Sequence, residues 1–244
     1  MLLKDIRRVH VDSDHTFGSP RVYRGLRLEG ISCSKARIER LMRDNAVRTM
    51  HKRRFVVTTN SKHNLPVAPN ILDGRFGWER PNQAWVGDIT YIPTNEGWLY
   101  LAVLLDLCSR RVVGWAMGKR MTRHLPLRAL HMAVQNRTPP KGLIHHTDQG
   151  SQYASHDYHA ALESSGMICS MSAKGRCYDN AVAESFFHSL KVELVHVRRF
   201  LSREQATSAI FKYMEVFYNT KRLHSTLDYV SPAEYERTMM AKVA

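Results

Sequence analysis

The apolar and polar positions change their period partway along the chain, and the change divides it. Across residues 16–50 the apolar residues recur at helical steps. Pro20 suits a first helical position and Gly30 a stop, which predicts a helix over residues 20–28. Ser34 can cap a second helix with Ile38, Leu41 and Met42 on one face and Lys35, Arg37, Arg40 and Arg43 on the other. Residues 51–80 mix basic and polar residues with little apolar periodicity, as a linker does. From Gln83 the pattern turns to strands. WVGDITYI (85–92) is aromatic and β-branched, Asn95-Glu96-Gly97 supplies a turn, and WLYLAVLLDL (98–107) reads as a long buried strand. With RVVGWAM (111–117) these make an antiparallel meander. Helices over about 122–136 and 155–165 then alternate with apolar strands at 143–148 and 167–172. A long helix from Asn180, capped by it or by Asp179, and a last one over 203–219 complete the pattern.

The fold class this predicts is α/β: a mixed sheet flanked by helices, with a small N-terminal helical unit. The corresponding division is a helix-turn-helix-like basic unit (1–50), a basic linker (51–80), a core (81–200) and a helical tail (201–244).

Charge narrows the choice of partner. The net charge is +14, and residues 1–80 carry 17 Lys and Arg against 8 Asp and Glu, leaving the smaller share of the surplus to the rest. Such an excess fits a polyanion whose counterions are released on binding, and a basic helix after a turn suits a DNA groove. A solvated basic helix in a three-helix packing unit fits the same residues. No apolar run is long enough to span a membrane and the N-terminus lacks a signal-peptide core, so a cytoplasmic protein is expected. Cys33, Cys108, Cys169 and Cys177 form no Cys-x-x-Cys pair, which argues for reduced thiols over a zinc site.

Three acids stand out by context. Asp88 lies inside an apolar strand, where a lone carboxylate is expensive to bury. Asp148 ends the fourth strand before a Gln-Gly-Ser turn, and Glu184 falls early in the long helix. Each alone has a mundane reading as an edge acid, a turn aspartate or a first-turn glutamate. If the first and fourth strands are neighbours, however, Asp88 and Asp148 converge and the helix brings Glu184 from the side. Such a cluster repels itself and suits two Mg²⁺ ions, the known device for in-line displacement at phosphorus. His188 and Lys191 follow on the same helical face, where Lys191 is placed to contact phosphate.

Other residues are less distinctive. Asp106 is expected to cap a turn or pair with arginine. Of His145 and His146, one is expected to face the core and the other the site. Tyr153, Tyr178 and Trp115 could stack on bases but fit a core as well, and Arg222 and His224 could bind DNA backbone or pin a loop.

Thirty-five residues separate Asp148 from Glu184, and Lys191 follows seven after it. With GDITYI, HTDQGSQY, DNAVAESFFHSLKVEL and the tail YNTKRLHSTLDYVSPAEYE, this chain resembles the retroviral-integrase-like DDE transposases of the insertion-sequence-three family, specifically their downstream-frame product. The resemblance spans about residues 16–236. It implies an RNase H-like integrase core with Asp88, Asp148 and Glu184 as catalytic metal ligands for Mg²⁺, with Mn²⁺ as a substitute. It also implies cleavage at an element's ends and strand transfer into target DNA. The implied partners are DNA, further copies of the chain on DNA, and an upstream-frame helix-turn-helix partner or fusion; the implied location is the bacterial nucleoid. Two alternatives remain at this point: an RNase H-like nuclease or resolvase, and an inactive DNA-binding regulator of transposition.

Overall fold

A computed structural model describes residues 1–49, 67–75, 77–172 and 180–241. Five strands form one mixed sheet: β1 (Ala84–Thr94), β2 (Gly97–Asp106), β3 (Val112–Gly118), β4 (Ile144–Thr147) and β5 (Ile168–Met171), in spatial order β3-β2-β1-β4-β5. The meander is antiparallel, whereas β4 and β5 run parallel to β1. The first and fourth strands are neighbours, which is the condition under which Asp88 and Asp148 converge.

Strand alternation assigns the two faces. Val86 and Ile92, with Leu99, Leu101, Val103 and Leu105, turn to one side. There they meet α6 (Ala181–Leu190) and α7 (Arg203–Phe211) through Phe186, Phe187 and Ile210. Trp85, Ala102 and Leu104 turn to the other side and meet α4 (His124–Arg137) and α5 (His156–Ser164) through Ala129, Leu130, Tyr158 and Leu162. On that side Gly114 is obligatory, because a Cβ there would lie 2.3 Å from the Ala129 carbonyl oxygen of α4.

The N-terminal unit has three helices: α1 (Leu2–Asp12), α2 (Ser19–Leu28) and α3 (Lys35–Asp44). The sequence reading missed α1, although Ile6, Val9 and His10 are its buried stripe. Pro20 sits in the first turn of α2, Gly30 follows it at φ +78°, and the Ser34 hydroxyl accepts the Arg37 N–H. Ile6, Val9, Val22, Leu26, Ile38 and Met42 join the same buried cluster as the sheet face carrying α6, and the Phe17 ring lies 6.4 Å from that of Phe217. Within the stretch read as linker, the backbone N–H groups of Ile71 and Leu72 donate to Ser170 Oγ of β5, and Leu72 is fully buried. Most of the rest of that linker, together with Cys177, Tyr178 and Asp179, lies outside the described residues.

The two long C-terminal helices are not uniform. α6 passes into a π-helical turn at Lys191–Val195, and α7 into one at Lys212–Tyr218. Such turns insert a residue into the helical ladder and are frequent at functional positions. The tail folds back as α8 (Pro232–Ala241). There Glu236 is buried, accepting two hydrogen bonds from Arg137 and one each from Arg111 and Ser109.

Candidate active site

The β1–β4 register places the first two acids together. Ala84, Trp85 and Val86 pair with Ile144, His145 and His146, and the same offset continued past Val86 sets Asp88 opposite Asp148. Asp88 lies on the sheet face that carries α6. Its Oδ1 accepts the Ile89 N–H at 2.7 Å. Asp148 Oδ1 accepts the Gly150 N–H at 2.9 Å, and a Cβ on Gly150 would lie as close to that same oxygen. Glycine there keeps the turn tight under the carboxylate.

The electrostatics follow from this placement. Burial pushes the Asp88 carboxyl well above its ordinary range, the Asp148 charge pushes it further, and Glu184 adds to the push. The Ile89 N–H and the Lys191 ammonium oppose the rise. Glu184 is exposed in the first turn of α6, and partial burial raises its carboxyl too. Burial lowers the Lys191 ammonium, whereas Asp88 raises it. Asp88, Asp148, Glu184 and Lys191 thus share one electrostatic neighbourhood.

Among the described residues no three His, Cys, Asp or Glu side chains gather into a group that could hold an ion. Asp88 and Asp148 lie in register at neighbouring strands, and Glu184 is near enough for its charge to reach Asp88. Chemically the set still fits a hard divalent cation, since all its donors are carboxylate oxygens and Asp88 and Asp148 repel each other.

The remaining sequence-singled residues separate. His188 is half-buried, one turn beyond Glu184, and lines a cavity of about 450 Å³ between α2 and α6 with Arg21, Ser185, Ser189 and Tyr229. Lys35, Arg37, Arg40 and Arg43 are exposed on α3. Both histidines of β4 are fully buried, and they divide as expected between the faces: His145 pairs with Trp85 and turns toward α5, whereas His146 pairs with Val86 on the face that carries Asp88. His145 Nε2 lies 2.6 Å from the Tyr158 hydroxyl, and burial drives its pKa to about 3. The His146 ring lies between the Ser170 and Ser172 hydroxyls. Tyr153 is core, and Trp115 donates to Glu215. Asp106 caps its turn, accepting from Cys108, Ser109 and Asn82 N–H groups. Asn180 takes the N-cap position of α6 without a side-chain cap bond.

Arg222 is a structural pin. Its guanidinium donates to both oxygens of Glu193, at 2.7–3.1 Å, and to Ser189 Oγ at 3.0 Å. Arg21 of α2 lies 3.7 Å from Glu193, so the pair also touches the N-terminal unit. Sequence reasoning missed Glu193, whose signal was an acid inside the apolar run Val192–Val195. Burial and the Arg222 charge take His224 to about 3.

Comparison with known proteins places these features. Residues 79–177 and 184–240 match integrase core domain families, and residues 1–55 match the HTH-like domain family. The chain is 47% identical over 231 residues to an uncharacterised 31 kDa protein of insertion element IS600 from Shigella sonnei, covering 95% of this chain and 85% of that one. It is 45% identical over 229 residues to transposase InsF for insertion sequence IS3A of Escherichia coli (strain K12), covering 94% and 80%. A chain of the simian T-cell lymphotropic virus intasome, solved with the PP2A regulatory subunit B56 gamma, superposes with a TM-score of 0.55 at 17% identity, covering 95% of this chain and 74% of that one. That likeness extends the RNase H-like description to the fold. Among the described residues no helix is long and apolar enough to cross a membrane.

Proposed function

The chain belongs to the insertion-sequence-three family of DDE transposases, and we propose that Asp88, Asp148 and Glu184 jointly hold its divalent metal and carry DNA cleavage and joining. The observation that supports this most is the in-register approach of Asp88 and Asp148 on parallel neighbours, with Glu184 near enough to raise the Asp88 carboxyl. Two Mg²⁺ ions, or Mn²⁺ in their place, would activate the attacking water or 3′-hydroxyl and offset charge on the leaving oxygen.

The protein's own part is to hold that charge in place. Asp88 is fixed by the sheet, Asp148 by the Gly150 turn, and Glu184 projects from the first turn of α6 with its charge reaching Asp88. Lys191, at the head of the π-helical turn, offers a cation to phosphate beside the acids. His188 faces the cavity beside α2, and the α3 cations Lys35, Arg37, Arg40 and Arg43 bind DNA backbone. The DNA bound is the element's ends and the target. The same reading includes a homo-oligomer on DNA in the bacterial nucleoid, with an upstream-frame helix-turn-helix partner or fusion aiding end recognition.

Metal binding tests the assignment without relying on turnover. A ligand that binds only the folded state raises the melting temperature. Mg²⁺ or Mn²⁺ therefore raises it in the unsubstituted chain, and Asp88→Asn and Asp148→Asn flatten the response. An undiminished response in both variants would remove the pair from the metal site.

A further inference from the structure

The hairpin between β1 and β2 carries an aromatic side chain that folding leaves in solvent. Trp98, the second residue of β2, is 49% exposed. About half of its surface is therefore open to a partner, and covering an indole is among the larger apolar gains available to a chain.

The backbone beneath it is firmly held. Asn95 N–H donates to the Phe200 carbonyl, and Arg199 Nε reaches Asn95 Oδ1. Arg203 N–H donates to Glu96 Oε2, and Arg203 Nε to the carbonyl of Trp98 itself, at 3.0 Å. The loop before α7 and the first residue of that helix thus fix the hairpin while the indole stays half outside. Tyr91 braces the indole edge-on, with ring centroids 4.7 Å apart at 79°. The Lys191 Nζ lies 5.2 Å from the Tyr91 centroid, and its charge reaches Asp88. A continuous path therefore runs from the carboxylates through Lys191 and Tyr91 to Trp98.

We propose that Trp98 is the stacking seat for an unpaired base at the DNA end, with Tyr91 bracing the indole and Lys191 taking an adjoining phosphate. This rests on the transposase reading and adds the place where a frayed nucleotide is held. An aromatic face stacks on any base that has left the helix, and flanking cations suit the phosphates of that strand. Charge favours this occupant, since Lys191, Arg199 and Arg203 set three cations around the hairpin against the Glu96 carboxylate, which suits a phosphate-bearing strand.

Stacking tolerates any sequence, so the test needs no knowledge of the element's terminal repeats. The full chain is titrated with a blunt duplex and with the same duplex carrying a few unpaired terminal nucleotides, one of them the fluorescent base 2-aminopurine. Binding of the frayed probe by the unsubstituted chain quenches that base. Trp98→Ala weakens frayed-probe affinity on the order of ten-fold and abolishes the quench, leaving blunt-duplex affinity and the salt slope unchanged. Trp98→Leu keeps apolar bulk without a π face, so it guards against a folding artefact and loses the frayed-end preference as well. Lys191→Ala, by contrast, lowers the salt slope by about one counterion. Equal affinity of Trp98→Ala for the frayed probe, equal loss on both probes, or full retention by Trp98→Leu would each overturn the stacking seat. Failure of the unsubstituted chain to bind either probe would instead defeat the DNA reading on which it rests.

Discussion

Replacing Arg222 with leucine removes the main partner of a glutamate that has left water. The Arg222 and Glu193 side chains are 5% and 8% exposed. After the change Glu193 keeps the Tyr213 hydroxyl at 2.7 Å and Arg21 at 3.7 Å. Breaking a buried ion pair by deleting one side costs about 3–5 kcal/mol, and Arg21 as a residual cation keeps the cost near the lower figure. In a chain of this length each kcal/mol moves the melting temperature by about 2–4 °C, so calorimetry finds a fall of roughly 6–12 °C. A double-mutant cycle with Glu193→Leu sharpens the result. The double variant loses less than the sum of the singles, because it leaves no uncompensated charge. DNA affinity measured well below the transition keeps its salt slope, since Arg222 is too enclosed to meet phosphate. A variant that melts within a degree or so of the parent, yet loses about one counterion from its slope, would make Arg222 a DNA contact and refute the argument.

Two further outcomes follow from other parts of the molecule. Changing Lys35, Arg37, Arg40 and Arg43 together to alanine lowers the salt slope of DNA binding by up to about four counterions, with little change in melting because all four are exposed; an unchanged slope would show that α3 does not meet DNA. At Glu236, burial pushes the carboxyl up, but Arg137, Arg111 and Ser109 more than offset it, leaving its pKa below the ordinary 4.5. Its stabilisation is therefore complete above that value and fades as pH falls through the folded value. Glu236→Gln accordingly melts lower at neutral pH and converges with the parent in acid, and a gap that stayed constant with pH would contradict the ion-pair account.

Deleting the basic N-terminal segment would have been a cleaner test had that segment stood alone. It does not. Phe17 packs on Phe217 and the α1–α3 core merges with the sheet face beneath α6, so removal would bare apolar surface as well as remove charge. A long-range meeting of this kind leaves no mark in local periodicity. α1 was missed for a nearby reason: its buried stripe is short, at Ile6, Val9 and His10, and charged residues interrupt it.

Local pattern was enough elsewhere. Alternation in β1 fixed which side chains share a face with Asp88, whereas the pairing of β1 with β4 that sets Asp148 beside it was only a condition in the sequence and is supplied by the fold. Helical spacing likewise brought Lys191 toward Asp88. The π-helical turns at Lys191–Val195 and Lys212–Tyr218 were illegible, since an extra residue in the hydrogen-bond ladder does not change the apolar composition that packs around it. Alternation also divided the β4 histidines between the two faces, but their partners were illegible, since the Tyr158, Ser170 and Ser172 hydroxyls that hold the rings come from elsewhere in the chain.

The central claim is that three carboxylates on β1, at the end of β4 and on α6 act as one metal-dependent centre. Its most direct test is single-turnover cleavage and joining of end-bearing DNA, comparing the unsubstituted chain with Asp88→Asn, Asp148→Asn and Glu184→Gln. The account predicts Mg²⁺-dependent joined product from the parent and none from any of the three, with their melting temperature and DNA affinity nearly intact. Full activity in any one variant, or undiminished product in excess EDTA, would contradict it.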